Sequence, residues 1–252
     1  MRKILSIALA VMLITLLCSC KHTSEETFPT TTTVAATDST EATVPDETEV
    51  LRKMYHDILE KLYTEKQFPD GSDCMYDESA GQMEDNQFAI CDVDDDGVEE
   101  LIISFTTAPL INMAEVIYHY DAMADALNME LSAFPALTYY SDGMILSESA
   151  HGHDGFTPYA VLRYAMEDDT YQEDCVVDGW IKGTAYVTGE EYPTDIDTEN
   201  AGIVYRIRQD DQLTILSKTD YLQWREDLLK EVKELDIPYM ALNRENIDNL
   251  AN

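Results

Sequence analysis

The chain is poor in positive charge. Only 16 Lys and Arg stand against 50 Asp and Glu, a formal net charge of −34. Such a surface repels phosphate backbones and argues against nucleic acid as a partner. Cysteine is scarce as well, at five. With Cys18 and Cys20 assigned to a leader, Cys74, Cys91 and Cys175 remain. That odd set excludes a fully paired framework, and its spacings match no zinc pattern. Cys91 reads as a small buried hydrophobe, while a Cys74–Cys175 bridge stays open. No HExxH, GxSxG, P-loop or paired Cys/His signature occurs, so no nucleophile or catalytic metal constellation can be named. A glycosidase-type carboxylate pair would leave no local motif. Long apolar runs are missing too: Ile4–Leu17 is shorter than the roughly 20 residues that span a bilayer.

What the first residues do contain is a targeting pattern. Arg2 and Lys3 precede that apolar stretch, which ends in Leu17-Cys18-Ser19-Cys20. The ending resembles a bacterial lipobox, with Leu three residues before Cys20 and the small Ser19 directly before it. The expectation is a signal peptide over 1–19 and a lipidated N-terminus at Cys20; the competing reading is an ordinary secretory signal or a membrane stub. Residues 20–45 are rich in Thr and Ser with almost no large apolar side chain. They read as a disordered tether spanning roughly 25–30 Å on average. Residues 46–252 suit one β-rich globular domain without internal linker or repeat. Loss of Arg2 and Lys3 takes the charge from −34 to −36.

The most informative segment is Asp92-Val93-Asp94-Asp95-Asp96-Gly97-Val98-Glu99-Glu100. Asp92, Asp94 and Asp96 occupy loop positions one, three and five, where carboxylates converge on a hard cation. Gly97 allows the sharp turn that aims the Val98 carbonyl inward, and Glu100 falls at position nine. Calcium takes six to eight oxygens at relaxed geometry, so these five groups plus water nearly complete a shell. Position twelve is Ile103 rather than the usual bidentate Glu. The flanks, Phe88–Cys91 and Leu101–Phe105, read as buried strands. The expected site is therefore strand–loop–strand, closed by Glu100, with an affinity on the order of 0.1–1 mM. The plain alternative is an acidic turn that holds no ion.

The fold expected around it is α+β, predominantly antiparallel β with an N-terminal helix and C-terminal helices. A helix is expected over 46–66, with Asp46 and Glu49 as a capping box. Strands are expected at 87–91, 101–106, 115–120, 136–140, 144–149, 159–165, 171–177, 203–208 and 213–216. A second helix is expected at 219–235, and a helical turn after Asn243. His151-Gly152-His153-Asp154 is a weak candidate cluster that reads more simply as an exposed loop. Fifteen tyrosines, several on predicted strands, read as sheet packing rather than an exposed stacking row.

Asn86–Phe105, Phe134-Pro135-Ala136-Leu137 and the Tyr139–Gly143 turn together resemble a group of lipoproteins from gut-type Firmicutes. Ser149–Gly152 and Thr157-Pro158-Tyr159 share the likeness. The order of lipobox, Thr/Ser tether, helix, DxDxDG loop and β-rich half is similar to that group. There the loop reads D-x-D-G-D-G-x-x-E-L, so Asp95 stands here in place of a Gly. Asp195, Asp197 and Glu199 resemble a degraded second acidic loop. The resemblance implies calcium and an extracytoplasmic, lipid-anchored location, and no reaction. The resulting expectation is a surface calcium-binding module for a glycan or protein ligand. The alternative is an extracytoplasmic hydrolase with a structural calcium.

Overall fold

The computed structural model describes residues 47–251, apart from 122, 123, 125, 153, 154 and 185–188. Cys20, the tether, the Asp46 cap and the His153-Asp154 pair lie outside the described residues. The described residues form a single compact unit.

Helix α1 (Glu47–Glu65) forms because Leu51, Tyr55, Leu59 and Leu62 recur at three- and four-residue spacing. All four are buried, which stabilises the fold by about 1.5–3 kcal/mol for each aliphatic side chain. The helix stops at Lys66, whose φ of 60° breaks the helical path, and Pro69 prevents its resumption. Its apolar face covers a five-stranded antiparallel sheet of β1 (Gln87–Cys91), β2 (Glu100–Phe105), β3 (Ala114–Asp121), β4 (Ala126–Ala133) and, last in the chain, β11 (Met240–Ala241). Their order is β11-β1-β2-β3-β4. Phe88, Leu101, Ile103, Phe105, Val116 and Tyr118 meet the helix from this sheet.

A second antiparallel sheet is a six-stranded meander. It comprises β5 (Leu137–Tyr139), β6 (Met144–Glu148), β7 (Tyr159–Ala165), β8 (Thr170–Ile181), β9 (Ile203–Gln209) and β10 (Gln212–Leu216). Alternation along each strand gives the sheets two apolar faces. Ala89, Ile102 and Ile117 of the first, with Val93 of the loop joining β1 to β2, meet Tyr139, Ile145, Leu162 and Tyr171 of the second. The far face of the second sheet carries helix α2 (Lys218–Leu229), through Tyr221 stacked on Tyr205 at 3.7 Å. The layers run helix, sheet, sheet, helix, and the predominantly antiparallel α+β expectation matches this architecture. A short α3 (Arg244–Asp248), capped by Asn243, follows β11.

Strands β4 and β11 and the end of α2 depart from expectation, and β8 runs on to Ile181. Strand β4 was not expected at all: Ala126-Leu127-Asn128-Met129-Glu130-Leu131-Ser132-Ala133 is weak in β-branched and aromatic residues. Its alternation is also broken by a bulge, where Ile117 pairs with Leu131 but Tyr118 pairs with Met129, leaving Glu130 as the extra residue. Helix α2 ends at Leu229 rather than Leu235, because the following chain bonds to the second sheet instead. The Ser141 amide donates to the Lys233 carbonyl, and the Leu235 amide to the Tyr139 carbonyl. The Cys74–Cys175 bridge does not form; all three cysteines are free, and these two sit in different apolar layers. The strand tyrosines Tyr118, Tyr120, Tyr139, Tyr140, Tyr159 and Tyr171 are buried.

Candidate metal centre

The acidic loop joins β1 to β2, whose terminal residues Cys91 and Glu100 are direct antiparallel partners. Short side chains fold it onto itself. Asp92 accepts the Asp95 amide at 2.8 Å and the Gly97 amide at 3.1 Å. Asp94 accepts the Asp96 amide at 3.0 Å, and Asp96 the Val98 amide at 2.7 Å. These bonds turn the carboxylates inward, and one oxygen from each of Asp92, Asp94 and Asp96 lies within 4.8 Å of the others. Each oxygen keeps a further lone pair, so accepting an amide does not remove it as a ligand. Gly97 has φ +92°, the conformation the turn demands. Asp95 also lies in the left-handed region, at φ +67°, where the resembled group carries Gly. Asp is among the few residues that tolerate it.

The second sheet holds the loop from behind. Gly143, in the turn after β5, packs so closely that a Cβ there would lie 3.0 Å from the Asp94 carbonyl oxygen. Val93 is buried between the sheets and donates its amide to Glu100 Oε2 at 2.8 Å. Glu100 shares the inter-sheet face of β2 with Ile102, whereas Ile103 faces α1, so position twelve does not reach the loop. Val98 is exposed at the loop's rim.

Glu100 opens onto a group of polar side chains that the sequence did not single out. His119 on β3, Glu130 in the β4 bulge and Asp169 in the β7–β8 turn converge beside it. Asp96, Glu100 and His119 offer ligand atoms within 4.8 Å of one another, as do His119, Glu130 and Asp169. His119 Nδ1 stands 3.8 Å from Glu100 Oε1 and 3.7 Å from Glu130 Oε1. Neither separation is a hydrogen bond. Asp94 Oδ2, Glu100 Oε1, His119 Nδ1 and both Glu130 oxygens are buried without a hydrogen-bond partner. Native interiors rarely leave such atoms bare unless an ion or water completes them.

Burial and mutual repulsion raise all three carboxyls, so that without a cation Glu100 and Glu130 keep their protons at neutral pH while Asp94 is mostly ionised. Desolvation, with the nearby Asp96 and Asp92 charges, pushes Asp94 up to about 6. Desolvation, opposed by the Val93 amide and reinforced by Asp94 and Glu130, pushes Glu100 up to about 9. Desolvation, with Asp94 and Asp169 adding repulsion, pushes Glu130 up to about 8. A divalent cation reverses that balance, because its charge favours the ionised ligands. The residues present therefore fit a cation: the structure brings Asp92, Asp94 and Asp96 together, and Asp96 also meets Glu100 and His119.

The second acidic segment is a different object. Asp195 and Glu199 are exposed and Asp197 is buried, and the three do not form a convergent group. Asp197 is taken up by its own turn: it accepts the Ala201 amide at 2.7 Å, the Gly202 amide at 3.0 Å and the Tyr192 hydroxyl at 2.9 Å. It is a loop brace. His151 is exposed in its loop.

No protein-family model, curated protein or solved structure matches the chain.

Proposed function

We propose that this protein is a calcium-ordered binding module, carried outside the cytoplasm on a lipid anchor at Cys20. The observation that carries the reading is Asp94: its Oδ2 is buried and bare where Asp92 and Asp96 also converge. The ion's role is structural. It ties the β1–β2 hairpin to the turn at Gly143 and sets the shape of the loop face, which meets a glycan or protein ligand. The anchor supplies the membrane contact, and the excess of acid disfavours phosphate polymers. Binding is preferred over hydrolysis because no nucleophile or catalytic metal signature can be named in the sequence; the surface grooves lie apart from the acidic loop. One of about 680 Å³ follows α1 past Val50, Met54 and Leu127, and another of about 380 Å³ lies between Ile207, Leu216 and Trp224. The acidic cluster lines neither.

The test is calorimetric titration of calcium into the chelator-treated chain, with Asp94→Ala alongside and melting followed with and without the ion. One equivalent of saturable binding, lost in the variant and raising Tm, is the expected result. No binding up to about 10 mM, beyond the weak end of extracellular sites, overturns it. The anchor is tested separately by labelled fatty-acid incorporation, which Cys20→Ala should abolish.

A further inference from the structure

We propose that His119, Glu130 and Asp169 form a second cation site behind the loop, one that takes a first-row transition divalent ion of the zinc or manganese class. The strongest observation is Glu130. It is 2% exposed, and neither of its oxygens has a hydrogen-bond partner. A bulge in β4 delivers it, and such bulges commonly re-aim a side chain into a site. His119 Nδ1, in a side chain only 12% exposed, is likewise bare and 3.7 Å from Glu130 Oε1. Asp169 is oriented as ligating carboxylates usually are: the Tyr164 hydroxyl donates to it at 2.8 Å and the Asn128 amide at 3.0 Å.

The class of ion follows from the donors. Calcium sites are built from oxygen, whereas an imidazole nitrogen suits zinc and its neighbours, and carboxylates suit manganese. A tetrahedral ion at ordinary zinc–ligand lengths sets its ligands about 3.4 Å apart. The His119–Glu130 pair, at 3.7 Å, needs a contraction of only a few tenths of an ångström, and both separations from Asp169 lie within 4.8 Å. The competing account is a charged His119 held between Glu100 and Glu130. It leaves Glu100 Oε1 and both Glu130 oxygens without hydrogen bonds, since both separations are too long. Because His119 and Glu130 belong to the first sheet and Asp169 to a turn of the second, the ion would fasten the two sheets together. Nothing in this assignment depends on calcium in the loop.

The experiment titrates Co²⁺, an optical probe of nitrogen and oxygen ligation, and then Zn²⁺ into the chelator-treated full chain, with and without about 10 mM calcium, a concentration beyond weak extracellular sites. The expected result is one equivalent of Co²⁺ that zinc displaces and calcium does not. His119→Gln and Glu130→Gln should each weaken it at least about 100-fold, since losing only a partner that orients a ligand costs up to about 100-fold, and His119→Gln should change the spectrum. Absence of saturable Co²⁺ binding, displacement by calcium, or an unchanged spectrum in His119→Gln each overturns the proposal. The wild-type competition decides even if a variant fails to fold. Loss of calcium binding with Co²⁺ retained would overturn the loop reading alone.

Discussion

The two acidic loops of this protein look alike in composition and behave as opposites. Asp92–Glu100 and Asp195–Gly202 both place carboxylates at alternate positions. In the second, Asp197 accepts two backbone amides and a tyrosine hydroxyl, so its charge is satisfied by the turn it closes. In the first, amide bonds also shape the loop, yet Asp94 Oδ2 and Glu100 Oε1 are left bare and face further buried carboxylates. Acidic spacing alone does not define a cation site. What separates the two is unspent acceptor capacity aimed at a common, desolvated point.

The sharpest way to break this comparison is a matched pair of alanine substitutions. Asp94→Ala should weaken calcium at least about 100-fold, because losing only a partner that orients a ligand already costs up to about 100-fold. Asp197→Ala should leave calcium titration unchanged and lower Tm by a few degrees, through the amides it uncovers. Equal effects on calcium would erase the distinction.

Charge burial gives the next largest effect. Glu130 titrates near 8 in the fold but near its ordinary value when unfolded, so the native state holds an extra proton between about 4.5 and 8. Stability of the metal-free chain therefore falls as pH rises through that window. Glu130→Gln should recover on the order of 1–3 kcal/mol at pH 9 and nothing below pH 4.5, read from denaturant midpoints at each pH.

Smaller effects probe the loop's frame. Gly143→Ala combines φ +69° with a 3.0 Å approach to the Asp94 carbonyl, and should cost about 1–2 kcal/mol and weaken calcium modestly. Asp95→Gly should do the reverse, stabilising the chain by up to about 1 kcal/mol by relieving the left-handed residue. Thermal melts in chelator and in calcium check both.

Much of this was legible in the residue pattern. Helix α1 announced itself through Leu51, Tyr55, Leu59 and Leu62, and the DxDxDG loop through Asp92, Asp94, Asp96 and Gly97. The half of the acidic cluster outside the loop was not legible, for physical reasons. Glu130 sits where a bulge breaks the two-residue alternation, on a strand of weak β propensity, so neither strand nor orientation could be read. His119 lay in an expected strand, but a lone histidine acquires meaning only from its cross-strand neighbours. Asp169 reaches the group from the second sheet, across a separation no local spacing encodes. The early end of α2 has the same origin: backbone bonds to Ser141 and Tyr139 outcompete a helical pattern that would have continued to Leu235.

Strand β11 carries a kinetic consequence. It pairs Met240 and Ala241 with Phe88 and Gln87, and the residues just beyond it, Leu242 and Ile247, are fully buried against α1. The oldest layer of the chain to be synthesised thus waits for some of the last residues before its core can close. Contacts of such sequence separation slow folding. A chain still being synthesised would keep its first sheet open, with β1 as an unpaired edge, until the C-terminal segment arrives to seal it.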